Sequence, residues 1–203
     1  MNIAIIGTGN VGGALATNWS KKGHLINLGV RDVQQFKGLE LLKNENTKAL
    51  PIHDAVAQSD VVLISTPPAA IFEIIEQMGD VSGKTIIDAT NSVRQTPDPY
   101  KTVYHCLADK TKAEVVKCFN STGFENMLNP VYNGEGIDMF MAGDSDTAKK
   151  VASQLALDAG FGSCMDFGKS DKVELLEKLA LSWINLAIMQ GHGRNIAFKV
   201  LRR

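Results

Sequence analysis

Short apolar runs rich in Val and Ile alternate along the chain with stretches whose apolar residues recur every three or four positions. The runs predict strands at residues 2–6, 24–29, 61–65, 84–88, 114–118, 137–142 and 163–167; the periodic stretches predict helices at 10–22, 33–46, 54–58, 68–78, 123–128, 145–159 and 170–190. Runs such as Val61-Val62-Leu63-Ile64 and Thr85-Ile86-Ile87 contain no polar alternation, as expected of strands buried on both faces. Strand and helix in turn give an α/β fold of the Rossmann type, a doubly wound, mostly parallel sheet with a short helical C-terminal region. Gly143-Asp144 supplies an N-cap for the sixth helix and Gly160 its stop.

Near Gly168 the alternation gives way to one long helical pattern, which predicts a boundary between residues 1–168 and 169–203. Eleven of the fifteen residues from Leu175 to Met189 are apolar, too many for one stripe against a sheet. A second surface must cover the rest. A partner subunit, giving a homodimer through this helix, is the expectation; a crossing segment of the same chain is the alternative. Glu177, Lys178, Ser182 and Asn185 interrupt the stretch, which falls short of the ~20 apolar residues a bilayer span requires.

The first strand runs into Gly7-Thr8-Gly9-Asn10-Val11-Gly12, and a helix with Leu15 and Trp19 one turn apart follows. In this context a G-x-G-x-x-G has a physical reading. Its first glycine permits the tight turn, its second lets backbone approach a pyrophosphate, and its third lets helix and strand pack closely. Free N–H groups at the helix start meet the phosphate charge. Residues 1–168 are therefore expected to form a dinucleotide-binding domain. The second strand ends in Gly29-Val30-Arg31-Asp32, with Gly29 opening space and Arg31 offering a guanidinium fork for a ribose phosphate. That favours NADP over NAD, with Asp32 expected to cap the following helix.

Charge supports a small-molecule partner. The 21 basic and 22 acidic residues give a net charge of −1, without the Lys/Arg excess that nucleic acid or an anionic membrane surface selects. Cys106, Cys118 and Cys164 are odd in number and lack metal-ligand spacing, which fits reduced thiols and no metal in a cytoplasmic protein. No targeting segment is expected at the N-terminus.

Five passages resemble the NADP-dependent oxidoreductases typified by the coenzyme F420-dependent NADP oxidoreductase. They are Gly7 to Gly12, Gly29-Val30-Arg31-Asp32, Ser65-Thr66-Pro67-Pro68, Val116-Lys117-Cys118-Phe119-Asn120-Ser121-Thr122-Gly123, and the Leu181 to Leu201 region. The resemblance implies a nucleotide-binding domain with a small helical C-terminal region, usually a homodimer, and hydride transfer between NADPH and a flat acceptor, deazaflavin F420 or a flavin. It implies that Thr8 and Arg31 contact the ribose phosphate and Gly9, Asn10, Val11 and Gly12 the pyrophosphate. Ser65, Thr66 and Pro67 would lie beside the riboses, and Asn120, Ser121, Thr122 and Gly123 would border nicotinamide and acceptor. The sequence departs from the family in having Val30 where Ser is common and Asn120-Ser121-Thr122-Gly123 in place of the archaeal His-Thr-Ile-Pro.

Hydride transfer requires two rings held at close distance and needs no protein acid or base. The sequence accordingly shows no triad, metal cluster or nucleophile elbow. His192, flanked by Gly191 and Gly193, and Lys178, early on the last helix, are the two candidates for a proton donor, and would serve a reductase of small carbonyls or imines. Asn91, closing Asp88-Ala89-Thr90-Asn91 at a strand end, could bond a ribose or the nicotinamide carboxamide, or simply shape a turn. A non-catalytic NADP-binding sensor is the alternative from outside enzymology.

Overall fold

The computed structural model describes residues 1–203. Its elements run β1 (Asn2–Ile6), α1 (Asn10–Lys21), β2 (Leu25–Val30), β3 (Thr47–Pro51), α2 (Ile52–Ala57), β4 (Val61–Ile64), α3 (Ile71–Met78), β5 (Thr85–Asp88), α4 (Val103–Lys110), β6 (Glu114–Cys118), α5 (Phe124–Leu128), β7 (Val131–Tyr132), β8 (Glu135–Gly136), β9 (Asp138–Ala142), α6 (Asp146–Asp158), β10 (Ser163–Asp166) and α7 (Val173–Ile184), the last continued by a π-helical turn, Asn185–Met189. Eight strands form one sheet in the order β10-β9-β6-β5-β4-β1-β2-β3, parallel throughout except between β6 and β9. The short strands β7 and β8 form a separate hairpin.

Unbroken apolar strands send alternate side chains to opposite faces, and each face has its own helices. Ile3 and Ile5 join Leu15 and Trp19 of α1 and Leu155 of α6, whereas Ala4 and Ile6 join Ile52 of α2, Ile71 and Ile74 of α3, and Val173 and Leu176 of α7. The order reverses at β1, which has β2 on one side and β4 on the other. Such a reversal leaves a crevice outside the carboxyl ends of the strands, where ligands of open α/β sheets bind.

Several expectations change. Residues 33–46 do not form a helix: the chain runs through a loop to a 3₁₀ turn at Leu39–Lys43 and then into β3, an unpredicted strand. Gly38, at φ +96°, passes so close to the Thr8 carbonyl oxygen that an added Cβ would come within 2.7 Å, so this loop is shaped by contact with the glycine turn. Strand β3 lies at the sheet edge and ends in Pro51, so its apolar signal is weak. Helix α4 was also not evident, because Tyr104, His105 and Cys106 carry little helical signal; Thr102 caps it by accepting from the His105 N–H at 3.4 Å. Asp32 caps no helix; its carboxylate closes a turn by accepting from the Gln34 N–H at 2.8 Å. Ser145, one residue beyond the expected Gly143-Asp144 cap, accepts from the Ala148 N–H at 3.0 Å and starts α6.

After Met189 the chain folds back on itself instead of continuing as a helix. The Ile196 carbonyl accepts from Trp183 Nε1 at 2.8 Å and from Asn126 Nδ2 at 2.7 Å, and the Val200 N–H donates to Asp138 at 2.7 Å. Arg194 pairs with Glu125 and sits 5.4 Å from the ring centroids of both Phe124 and Trp183. The segment crossing over Trp183 thus belongs to the same chain. Leu175, Leu181, Ile188 and Met189 stay exposed. No helix is long and apolar enough to cross a membrane.

Candidate functional site

The three glycines after β1 meet three different constraints. Gly7 has φ +100°, and an added Cβ would lie 2.6 Å from the Ser65 carbonyl oxygen. A Cβ on Gly12 would collide with the carbonyl oxygen of Gly7, and Ser65 Oγ donates to that same carbonyl at 2.7 Å. Gly9 alone faces open space, with nothing within 4 Å of where its Cβ would be. It is also the N-cap of α1, with no side chain capping that end and no acidic residue in the first turn. Asn10, Val11 and Gly12 therefore begin a helix whose terminal N–H groups and dipole favour an anion.

From this turn a cavity of about 620 Å³ opens along the carboxyl edge. Its walls include Ile6, Gly7 and Thr8 from the end of β1, Gly29 to Asp32 from the end of β2, and Thr66 and Pro67 after β4. Its floor and rim add Gln35, Phe36, Lys37, Ile52, Ala70 and Ile74. Arg31 is exposed here with its guanidinium in no ion pair, and Lys37 supplies a second cation at the same cavity. The Thr8 hydroxyl donates to the Lys37 carbonyl and so ties the 32–38 loop to the glycine turn. Phe36 and Lys37 were not identifiable from sequence, since the helix expected there would have scattered them around its surface.

The other end of the edge, beyond β5 and β6, is built differently. Phe119 follows β6 at φ +61°, an uncommon conformation for a bulky residue, and turns the chain so that Asn120 comes next to Asn91. Asn120 Nδ2 donates to Asn91 Oδ1 at 3.4 Å. Asn120 Oδ1, Thr90 Oγ1 and Thr66 Oγ1 are buried oxygens without a protein partner, and such groups are rare unless something else supplies the bond. Ser121 is buried, its hydroxyl directed at the Met139 sulfur at 3.7 Å. Thr122 accepts from Asn126 Nδ2 at 2.6 Å, and Gly123 caps α5 against Trp183, whose ring an added Cβ would meet at 2.5 Å. Of the four residues expected to border an acceptor, Asn120 is thus the one with an unused polar atom.

Behind this end lies an ion cluster that sequence reading did not identify. Lys117 Nζ is fully buried, 3.0 Å from Asp88 Oδ2, 2.7 Å from Glu177 Oε1 and 2.6 Å from the Thr90 carbonyl oxygen. Burial opposes the ammonium charge, but the two carboxylates overcome it and hold the Lys117 pKa above its ordinary value. Burial pushes the Glu177 carboxyl up, against the pull of Lys117.

Lys178, by contrast, is exposed, and its carbonyl accepts from Ser182 Oγ at 2.9 Å. One residue's rotation on α7 makes Glu177, not Lys178, the inward-facing charge. His192 is exposed in the Gly191–Gly193 turn, its N–H bonded to the Leu186 carbonyl at 3.2 Å. Neither lines the cavity. The three cysteines are free, with Cys118 Sγ and Cys164 Sγ 3.9 Å apart.

Comparison with known proteins matches this architecture. The family described as NADP oxidoreductase, coenzyme F420-dependent, matches residues 2–92, which span the glycine turn, the Arg31 loop and Asn91. The F420-dependent NADP reductase of Methanothermobacter marburgensis is 25% identical over 98% of this chain and 98% of its own. A glycerol-3-phosphate dehydrogenase from Thermoanaerobacter sp. strain X514 is 31% identical, but over only 43% of this chain and 30% of its own length. A crystal structure from Arthrobacter sp. FB24, described provisionally as an F420-dependent NADP-reductase, superposes over 100% of both chains with a TM-score of 0.86 and 24% identity. The matched segment carries the nucleotide turn, and similarity to the F420-dependent NADP reductase of Methanothermobacter marburgensis extends through the last helix.

Proposed function

We propose that the chain is an NADPH-dependent oxidoreductase that exchanges a hydride with a flat, flavin-like acceptor such as deazaflavin F420 or a flavin. The observation that carries this is the cavity joining an uncapped helix start to two cations: Gly9 leaves room for a pyrophosphate, and Arg31 and Lys37 beside Thr8 suit a ribose 2′-phosphate. The unpartnered oxygens of Thr66, Thr90 and Asn120 fit the hydroxyls and carboxamide of the remaining half. NADPH supplies the hydride, and the protein's part is to hold the rings together and keep water out. With Lys178 and His192 turned to solvent, no side chain is assigned as proton donor; the proton that completes acceptor reduction comes from solvent.

Residues 1–168 are read as the nucleotide domain and 169–203 as the part that closes the acceptor side. The exposed Leu175, Leu181, Ile188 and Met189 support pairing with a second copy, a homodimer. Free thiols support a reducing, cytoplasmic setting.

The test is NADPH oxidation with F420, FMN, FAD, a ferric chelate and small imines, with NADH as control. Turnover with a ring acceptor and preference for NADPH are expected. Turnover with imines alone would transfer the assignment to a small-substrate reductase, and nucleotide binding with no turnover on any acceptor would favour a sensor.

A further inference from the structure

Three backbone groups of the turn after β5 are each held by a different buried charge. The Thr90 N–H donates to Asp88 Oδ1 at 2.9 Å, the Thr90 carbonyl accepts from Lys117 Nζ at 2.6 Å, and the Ser92 N–H donates to Glu177 Oε2 at 3.0 Å. Asn91, the residue between them, is exposed at the carboxyl edge of the sheet and accepts from Asn120. We infer that Glu177, through Lys117 and the Ser92 N–H, is a positioning residue that fixes the Thr90–Ser92 turn so that Asn91 and Asn120 present their amides to the nicotinamide end of the cofactor.

The inference rests on the cofactor reading above and adds a role for residues far from the cavity walls. Apolar residues of similar volume often match or exceed a buried ion group in stability, so stability alone does not account for three charges here. Direction does: each charge spends a hydrogen bond on the backbone of one short turn. The unused Oδ1 of Asn120 and Oγ1 of Thr90 lie at that turn, so a small rotation of it would misaim both. Glu177 comes from α7, and its contact therefore makes the shape of the turn depend on how the C-terminal region docks.

The experiment separates the two halves of the cofactor. Affinities of the full chain for NADPH and for 2′-phospho-ADP-ribose, which lacks only the nicotinamide, are measured by calorimetry for the wild type and for Glu177→Leu, Glu177→Gln and Asn91→Ala. Leucine removes the acceptor of the Ser92 N–H while Lys117 stays paired with Asp88; glutamine keeps an acceptor oxygen. Glu177→Leu is expected to weaken NADPH about tenfold with the analogue unchanged, the loss of one charge-assisted hydrogen bond's worth of order. Glu177→Gln is expected to restore the wild-type ratio. Asn91→Ala alters an exposed side chain, so it keeps the test open should Glu177→Leu fail to fold, and it is expected to lower the same ratio. Parallel weakening of both ligands, or unchanged ratios in both Glu177→Leu and Asn91→Ala, overturns the inference. A wild-type chain that binds neither ligand instead overturns the cofactor reading itself, and a wild type that binds both equally overturns the inference alone.

Discussion

The two ends of the carboxyl edge solve the same problem with different materials. At the β1–β2 end the site is mostly backbone: a positive-φ glycine, a glycine facing open space, a helix start and two exposed cations. At the β5–β6 end it is side chains supported from behind by a buried ion cluster and by a helix that enters the fold some sixty residues later in sequence than Lys117. The first kind of site is shaped by close backbone packing around one turn. The second depends on long-range contacts, so damage to it spreads into stability.

Lys117→Met puts that difference to its strongest test. It strands the Asp88 and Glu177 carboxylates in the interior, and breaking a buried ion pair in this way costs about 3–5 kcal/mol. Urea denaturation is expected to show a loss of that size; a loss below about 1 kcal/mol, the range of an exposed pair, would mean the cluster is wet and does not support the turn.

At the other end, Gly12→Ala and Gly9→Ala separate fold from binding. A methyl on Gly12 meets the Gly7 backbone and should destabilise by about 1–3 kcal/mol as well as weaken NADPH. A methyl on Gly9 meets no protein atom, so the melting temperature should hold while the affinity for NADPH falls about tenfold or more, its only obstruction being to the ligand. Equal loss of stability in both variants would break the distinction.

Arg31→Ala and Lys37→Ala grade the cations. Removing a charge-assisted contact to phosphate costs about 1.5–3 kcal/mol, so Arg31→Ala should weaken NADPH by about 10- to 100-fold and leave NADH unchanged. Lys37 offers a point charge without a fork, and its loss should be smaller. Loss of NADH affinity to the same extent would place Arg31 on the pyrophosphate instead.

How much of this the sequence disclosed follows the same division. Gly7 to Gly12 and Arg31 are contiguous with the strands and helix that place them, so spacing alone suggested the cofactor roles proposed for them. Lys37 was hidden because Leu39, Leu41 and Leu42 mimic an α-helical stripe where the chain makes only a loop tied to Thr8 and a short 3₁₀ turn. Lys117, in the fourth resembling passage, carried no role of its own, since a lysine in a buried strand makes sense only once Glu177 is brought to it. Lys178 was a candidate for its position early on the last helix; the register of Val173 and Leu176 against the sheet directs its neighbour inward instead.

The smallest effect concerns pH. Burial raises the Glu177 carboxyl above its ordinary 4.5, so the folded chain takes up this proton more readily than the unfolded one. Its contribution to stability is therefore fully present below about pH 4.5 and declines as pH rises through the raised folded value. Asp144, lowered by its bonds from Ser170, works with the opposite sign, losing stability as pH falls through its depressed value. Asp144 is common to wild type and Glu177→Gln, so it cancels when the two stabilities are subtracted. The difference should slope downward with rising pH in the Glu177 window and be flat from there up to the alkaline range where Lys117, whose raised pKa also depends on Glu177, loses its proton. A flat difference throughout would show that the carboxyl reaches solvent, and a slope of opposite sign that Lys117 outweighs burial; either result would move Glu177 out of the buried, supporting role that distinguishes the β5–β6 end from the glycine turn.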